Sequence, residues 1–210
     1  LRDVYKRQRV VPPELEATST TRIIDKINFS WKSPLRIDFS GGWTDVPYIM
    51  DGRPGCVANV AIKPHVEYSG GKFNFSGYPR GSGLSTSTAA KALEMISAKN
   101  YNIDAKDLHA IAEDVFNLEN RELNWAIGRQ DQYAIILGGY NCLEYRDDGV
   151  RTVGTVVTRE ILDRFRPHLL LLHSGVSRNA QVAVEQVYRN YSTATGAAAL
   201  GAHSPLFSSI

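Results

Sequence analysis

The chain has 210 residues, 43% hydrophobic and 22% charged, which is enough to bury a sizeable core and fills about one domain or one and a half. Its 24 basic and 22 acidic side chains leave a formal net charge of +2, so electrostatics give no case for a nucleic acid or an anionic membrane as partner. Cys56 and Cys142 lie far apart in sequence, match no zinc or dithiol spacing, and read as buried reduced thiols. The longest apolar run, Tyr133 to Leu137, is far too short to span a bilayer, and the N-terminus lacks an apolar signal segment. A cytoplasmic enzyme is the expectation.

Leu1 to Gln8 reads as an adapter scar and is set aside. Val10 to Thr21 is polar and holds Pro12-Pro13, so residues 1–27 are expected to form a loose leader. Leu35, Ile37 and Phe39 alternate with Arg36, Asp38 and Ser40, the pattern of a strand with one apolar and one polar face. Gly41-Gly42 ends it. Cys56 to Ile62 and Val66 to Phe75 read as separate strands, the second turning at Gly70-Gly71. A loop rich in glycine and hydroxyls, Arg80 to Thr88, then leads into the helix-forming stretch AAKALEMISA.

Leu108, Ile111, Val115 and Leu118 fall at helical spacing and predict an amphipathic helix from Ala105 to about Glu119. A short helix is predicted over Gln130 to Leu137, then a hairpin of Tyr140 to Tyr145 and Val150 to Val157 around Asp147-Asp148-Gly149. Arg159 to Phe165 reads as a helix, Leu169 to His173 as a buried strand and Asn179 to Tyr191 as a helix. Ser192 to Ile210 is rich in Ala, Gly and Ser and has no closing element, so the chain reads as a fragment. The irregular mix of strands and helices predicts an α+β fold.

GSGLSTSTA immediately before a helix is suited to an anion, because a helix N-terminus offers unpaired N–H groups and a positive dipole end. Gly81 and Gly83 let the backbone approach a phosphate, and Ser85 to Thr88 add hydroxyls. The same residues also suit plain helix capping. There is no Gly-Lys-Ser/Thr ending, so the loop is not a Walker A motif.

Gly83-Leu84-Ser85-Thr86-Ser87-Thr88-Ala89 is similar to the PxxxGLGSSSA loop of the GHMP kinases (galactokinase, homoserine kinase, mevalonate kinase and phosphomevalonate kinase), with Ser85 in place of the second glycine. Ser33 to Pro47, SPLRIDFSGGWTDVP, resembles the first motif of that family's sugar-kinase branch, APLRIxxxGGxTDxP. Gly128 to Tyr133, GRQDQY, resembles the GKQDQYA segment of heptose-phosphate kinases and fucokinases. Leu169 to Ala180 more weakly resembles the start of the second domain of the heptose-phosphate branch.

The resemblance implies a GHMP N-terminal domain over residues 28–167 and the beginning of a second, incomplete α+β domain over 168–210. It implies phosphoryl transfer from ATP, with Mg²⁺, to a sugar or sugar phosphate, of the fucokinase or heptose-7-phosphate-kinase type. Loop amides of Gly81, Ser82, Gly83, Leu84, Ser85, Thr86 and Ser87 would hold the ATP phosphates. Ser87 and Glu119 would supply Mg²⁺ ligands, with Glu122 a second candidate. Asp131 would take the hydroxyl proton, Arg36 would offset charge in the transition state, and Asp45, Thr44 and Gly42 would meet the sugar. Phe73, Phe75 and Tyr78 have the chemistry to stack on adenine, although core packing is the stronger reading. The alternative is a non-catalytic sugar- or nucleotide-binding relative. Nothing in the sequence sets the oligomeric state.

Overall fold

A computed structural model describes residues 30–50, 52–75, 77–78, 80–99, 108–122, 127–153, 159–172, 175 and 180–191. The expected leader and the stretch after Tyr191 lie outside the described residues.

Strand β1 (Ser30–Ser40) pairs antiparallel with the long β2 (Gly55–Ser69). The strands expected over Cys56 to Ile62 and from Val66 are one, and β2 runs through Pro64. The register passes from Pro34↔His65 to Leu35↔Ile62, so Lys63 and Pro64 fall in a bulge. There a proline's missing N–H removes no ladder bond. Gly70 and Gly71, both at positive φ, turn β2 into the short β3 (Lys72–Asn74). On the other edge β2 pairs with β4 (Tyr140–Arg146), which turns at Asp147-Asp148 into β5 (Gly149–Thr152). The sheet order is β1-β2-β4-β5, with β3 beside one end of β2. All pairings are antiparallel, and the mixture with helices is the expected α+β architecture.

The helices are α1 (Pro47–Met50), α2 (Thr86–Lys99), α3 (Leu108–Asn117), α4 (Gln130–Leu137), α5 (Arg159–Phe165) and α6 (Ala180–Tyr191). A π-helical turn, Leu118–Glu122, continues α3. One core joins helices to sheet. Ala89, Leu93 and Ile96 of α2 lie on one face at helical spacing, as do Leu108, Ile111 and Val115 of α3. They pack with Leu35, Val57, Val66, Leu143 and Tyr145 of the sheet and Tyr133, Ile135 and Ile136 of α4. Cys56 and Cys142, remote in sequence, sit on neighbouring strands with their sulfurs 4.0 Å apart, both free thiols. Helix α6 docks on α1, where the Tyr191 hydroxyl donates to the Ile49 carbonyl at 3.1 Å.

A second expectation is corrected. Leu169, Leu170, Leu171 and Leu172 form no strand, and they are 50%, 81%, 47% and 80% exposed. A strand needs a neighbour for its backbone groups, and among the described residues this run has none. The second hairpin strand ends at Thr152, and 154–158 lie outside the described residues. Among those described, no helix is long and apolar enough to cross a membrane.

Candidate active site

A cleft of about 360 Å³ opens between the end of β1, the turn into α1, the loop before α2 and the N-terminus of α4. Arg36 and Asp38 enter it from β1, Gly42, Trp43 and Val46 from the turn, and Gln130, Asp131 and Gln132 from α4. The polar face of β1 therefore faces this cleft.

Arg36 and Asp131 meet in an ion pair, with the Arg36 Nε donating to Asp131 Oδ1 at 2.7 Å and Nη2 2.5 Å from the same oxygen. Burial works against the guanidinium charge. Attraction from Asp131, then Asp38 and Asp45, outweighs it, so the Arg36 pKa is raised and the side chain stays cationic. The Arg36 backbone N–H donates to the Leu84 carbonyl at 3.3 Å, which ties the glycine loop directly to the strand that carries the arginine.

In that loop Gly81, Gly83, Ser85, Thr86, Ser87 and Thr88 line the cleft. Ser82 and Leu84 do not; the Leu84 side chain is buried in the core. Gly81 and Gly83 have φ of 77° and 81°, and Ser85, where the family motif has glycine, has φ 64°. The loop thus keeps a left-handed turn at Ser85, at some strain for a residue with a Cβ. The hydroxyls of Ser82 and Ser85 are buried without a hydrogen-bond partner.

Glu119 lies behind this loop in the π turn, fully buried. It accepts from Gln132 Nε2 at 2.6 Å and is also hydrogen-bonded to the Thr88 side chain. Its second oxygen, Oε1, has no partner. Burial pushes its pKa up to about 7, against the two hydrogen bonds and with the Asp131 charge adding. The π turn rotates a carboxylate inward from the end of an amphipathic helix. It joins the α2 loop to the helix that carries Asp131. Glu122 ends the same turn, and its side chain lies outside the described residues. Among the described residues no group of three His, Cys, Asp or Glu side chains gathers in a way that could hold a metal ion.

Two residues expected at the sugar are placed elsewhere. Asp45 is fully buried and absent from the cleft lining. It accepts from the Gln130 backbone N–H at 2.8 Å, and so caps α4, whose own N-cap residue, Arg129, makes no side-chain cap. A Cβ on Gly128 would collide with this carboxylate, which explains the glycine. Burial raises the Asp45 pKa to about 6, opposed by the Gln130 hydrogen bond. Thr44 holds its own turn, donating to the Gly41 carbonyl at 2.6 Å and accepting from the Cys56 N–H at 3.0 Å. Of the three residues expected at the sugar, Gly42 lines the cleft.

Asp38, Gln130 and Gln132 put polar side chains in the cleft and had no role in the sequence reading. The signal for Asp38 was available in the strand alternation that also carries Arg36. Phe73, Phe75 and Tyr78 lie outside the cleft lining and pack against the core, with the Arg80 guanidinium 4.8 Å from the Phe75 ring centre.

No protein-family model matches the chain, and no curated protein matches its sequence. Solved structures do. A D-glycero-D-manno-heptose 1-phosphate kinase from Bacteriodes thetaiotaomicron is 20% identical, with 64% of this chain aligned to 61% of that one and a TM-score of 0.49. A protein described as a sugar kinase from Campylobacter jejuni is 18% identical, with 85% of this chain aligned to 73% of that one and a TM-score of 0.50. The chain thus spans less than two thirds of the heptose-phosphate kinase it matches. The likeness to the Campylobacter protein is one of fold.

Proposed function

We propose that the chain is the N-terminal part of an ATP-dependent kinase of GHMP type that phosphorylates a sugar hydroxyl. The observation that carries this reading is the Arg36–Asp131 pair, set in one cleft with the glycine and hydroxyl loop of residues 81–88 on its wall. Phosphoryl transfer asks for alignment, counter-charge and a place for one proton. Asp131 accepts or orients the acceptor hydroxyl's proton, that oxygen attacks the γ-phosphorus, and ADP leaves. Arg36 holds the aspartate and offsets negative charge.

Unpartnered buried atoms support a nucleotide at the loop. The Ser85 hydroxyl suits a phosphate oxygen, and the free Glu119 Oε1, with Ser87 at the cleft wall, suits a hard cation. Mg²⁺ bound there would neutralise phosphate charge while keeping most of its waters, so one or two protein oxygens suffice. We take residues 28–167 as the first domain and those from 168 as the beginning of a second. The exposed leucines 169–172 are consistent with a surface built to be covered.

The test is sugar-dependent ADP release across free sugars and sugar phosphates, measured on this chain and on a form extended at its C-terminus. A sugar-dependent signal in either supports the reading. Its absence from both, with ATP bound, points to the non-catalytic alternative.

A further inference from the structure

The cleft also discriminates between kinds of acceptor. Among the described residues, its charged lining side chains are Arg36, Asp38 and Asp131, one cation against two carboxylates. The cation is already committed to Asp131. Asp38 stands beside them with Oδ1 buried and without a hydrogen-bond partner. Gln130 lies at the same corner, where its Nε2 is 3.9 Å from the point a Cβ on Gly42 would occupy, and its Oε1 is likewise unpartnered. That same Cβ would collide with Asp38 Oδ2, so glycine at position 42 leaves the carboxylate its place.

These orphaned atoms are acceptors, and what satisfies an acceptor is a donor. A sugar hydroxyl brings one. A phosphate dianion brings only negative charge and further acceptors, which two carboxylates repel. The opposite wall differs, since loop 81–88 presents hydroxyls and a helix N-terminus, the setting for the nucleotide's phosphates. Trp43 completes the acceptor side. It is held at φ 77°, a strained value for a bulky side chain, and lines the cleft near Val46, Ile127 and Ala183. An aromatic and aliphatic wall of this kind suits the C–H face of a sugar ring.

We propose that the acceptor is a neutral, unphosphorylated sugar whose hydroxyls are held by the Asp38 carboxylate and the Gln130 amide oxygen, with a C–H face against Trp43. This inference rests on the kinase reading above. Burial raises the Asp38 pKa, with Arg36 and the Ser40 backbone N–H opposing and Asp131 adding, so the carboxyl's own donor does not satisfy both of its oxygens.

The experiment is calorimetric binding of matched pairs to the full chain: D-mannose, D-galactose and D-glycero-D-manno-heptose, each against its 6- or 7-phosphate. At least one neutral sugar should bind roughly ten-fold or more tightly than its own phosphate. Asp38→Asn should weaken that sugar about ten-fold and leave Mg-ATP affinity unchanged, because it removes the charged acceptor with little change of shape. Asp38→Lys should shift preference toward the phosphates. Tighter binding of the phosphates, binding of no sugar, or an Asp38→Asn variant with unchanged sugar affinity each overturns the inference. Sugar that binds as expected but gives no ADP would instead refute the kinase reading.

Discussion

Arg36 and Asp131, 95 residues apart in sequence, meet through two guanidinium nitrogens that converge on one carboxylate oxygen, Oδ1, at 2.7 and 2.5 Å. The pair is largely shielded from solvent, with side chains 14% and 29% exposed. It brings together strand β1, which carries the arginine, and helix α4, which carries the aspartate. The candidate chemistry and the packing of these two elements therefore depend on the same contact.

Removing the arginine charge should be costly for the fold. Asp38, Asp45 and Asp131 all interact favourably with Arg36, and Arg36→Met leaves them facing one another. A loss of about 3 kcal/mol is expected, measured from urea unfolding midpoints. Arg36→Lys should recover part of it, since it keeps the charge but loses the two-pronged contact. A loss below about 1 kcal/mol for Arg36→Met would show that the pair is a surface-like interaction.

Stability should fall as pH rises from about 4 to about 8. Burial raises Asp45 to about 6 and Glu119 to about 7, above the values of an unfolded chain. In that window the folded protein binds more protons than the unfolded one. The stabilisation is therefore full below the unfolded-state values and is lost as pH passes the folded ones, with each group contributing on the order of 3 kcal/mol. Asp45→Asn should flatten the lower part of the decline. If Glu119 holds the cation as proposed, Mg-ATP should flatten the upper part, since the cation would take the proton's place. Unfolding midpoints that rise across this range would contradict the assignment.

The motifs made much of this legible. Arg36, Asp131 and the glycine loop each sit in a short local pattern, and local patterns survive without knowledge of the tertiary fold. What the patterns lacked was direction. Asp45 in a Gly-rich turn reads as a turn residue or, through the resemblance, as a sugar ligand, and the sequence does not show the Gln130 N–H that it accepts from. Asp38 drew no role because alternation places it on a polar strand face and cannot tell solvent from a cleft. Leu169 to Leu172 looked like a buried strand because apolar composition does not say whether a partner is present.

Ser85 offers a test of the loop's strain. Its φ of 64° is the conformation glycine adopts freely, so Ser85→Gly should stabilise the protein by about 1 kcal/mol. The KM for ATP should rise modestly, because the loop shape is kept but the hydroxyl suited to a phosphate oxygen is lost. A destabilised variant would mean that the Ser85 hydroxyl outweighs the backbone strain.

The exposed run beyond α5 should be sticky. Leu170 and Leu172 are 81% and 80% exposed, and Phe165 is 61% exposed. The double substitution Leu170→Glu with Leu172→Glu should lower binding of a hydrophobic dye and slow aggregation, while changing the unfolding free energy by no more than about 0.5 kcal/mol. Unchanged dye binding would place the sticky surface elsewhere.

The central claim is that Asp131 acts on the acceptor hydroxyl and not on the nucleotide. Its most direct test is Asp131→Asn, which keeps the side chain's shape, assayed for sugar-dependent ADP release beside calorimetric Mg-ATP binding. The account predicts a fall in turnover of about 10²- to 10⁴-fold with nucleotide affinity within about two-fold of the parent. Turnover near that of the parent, or a loss traced wholly to weaker ATP binding, would contradict it.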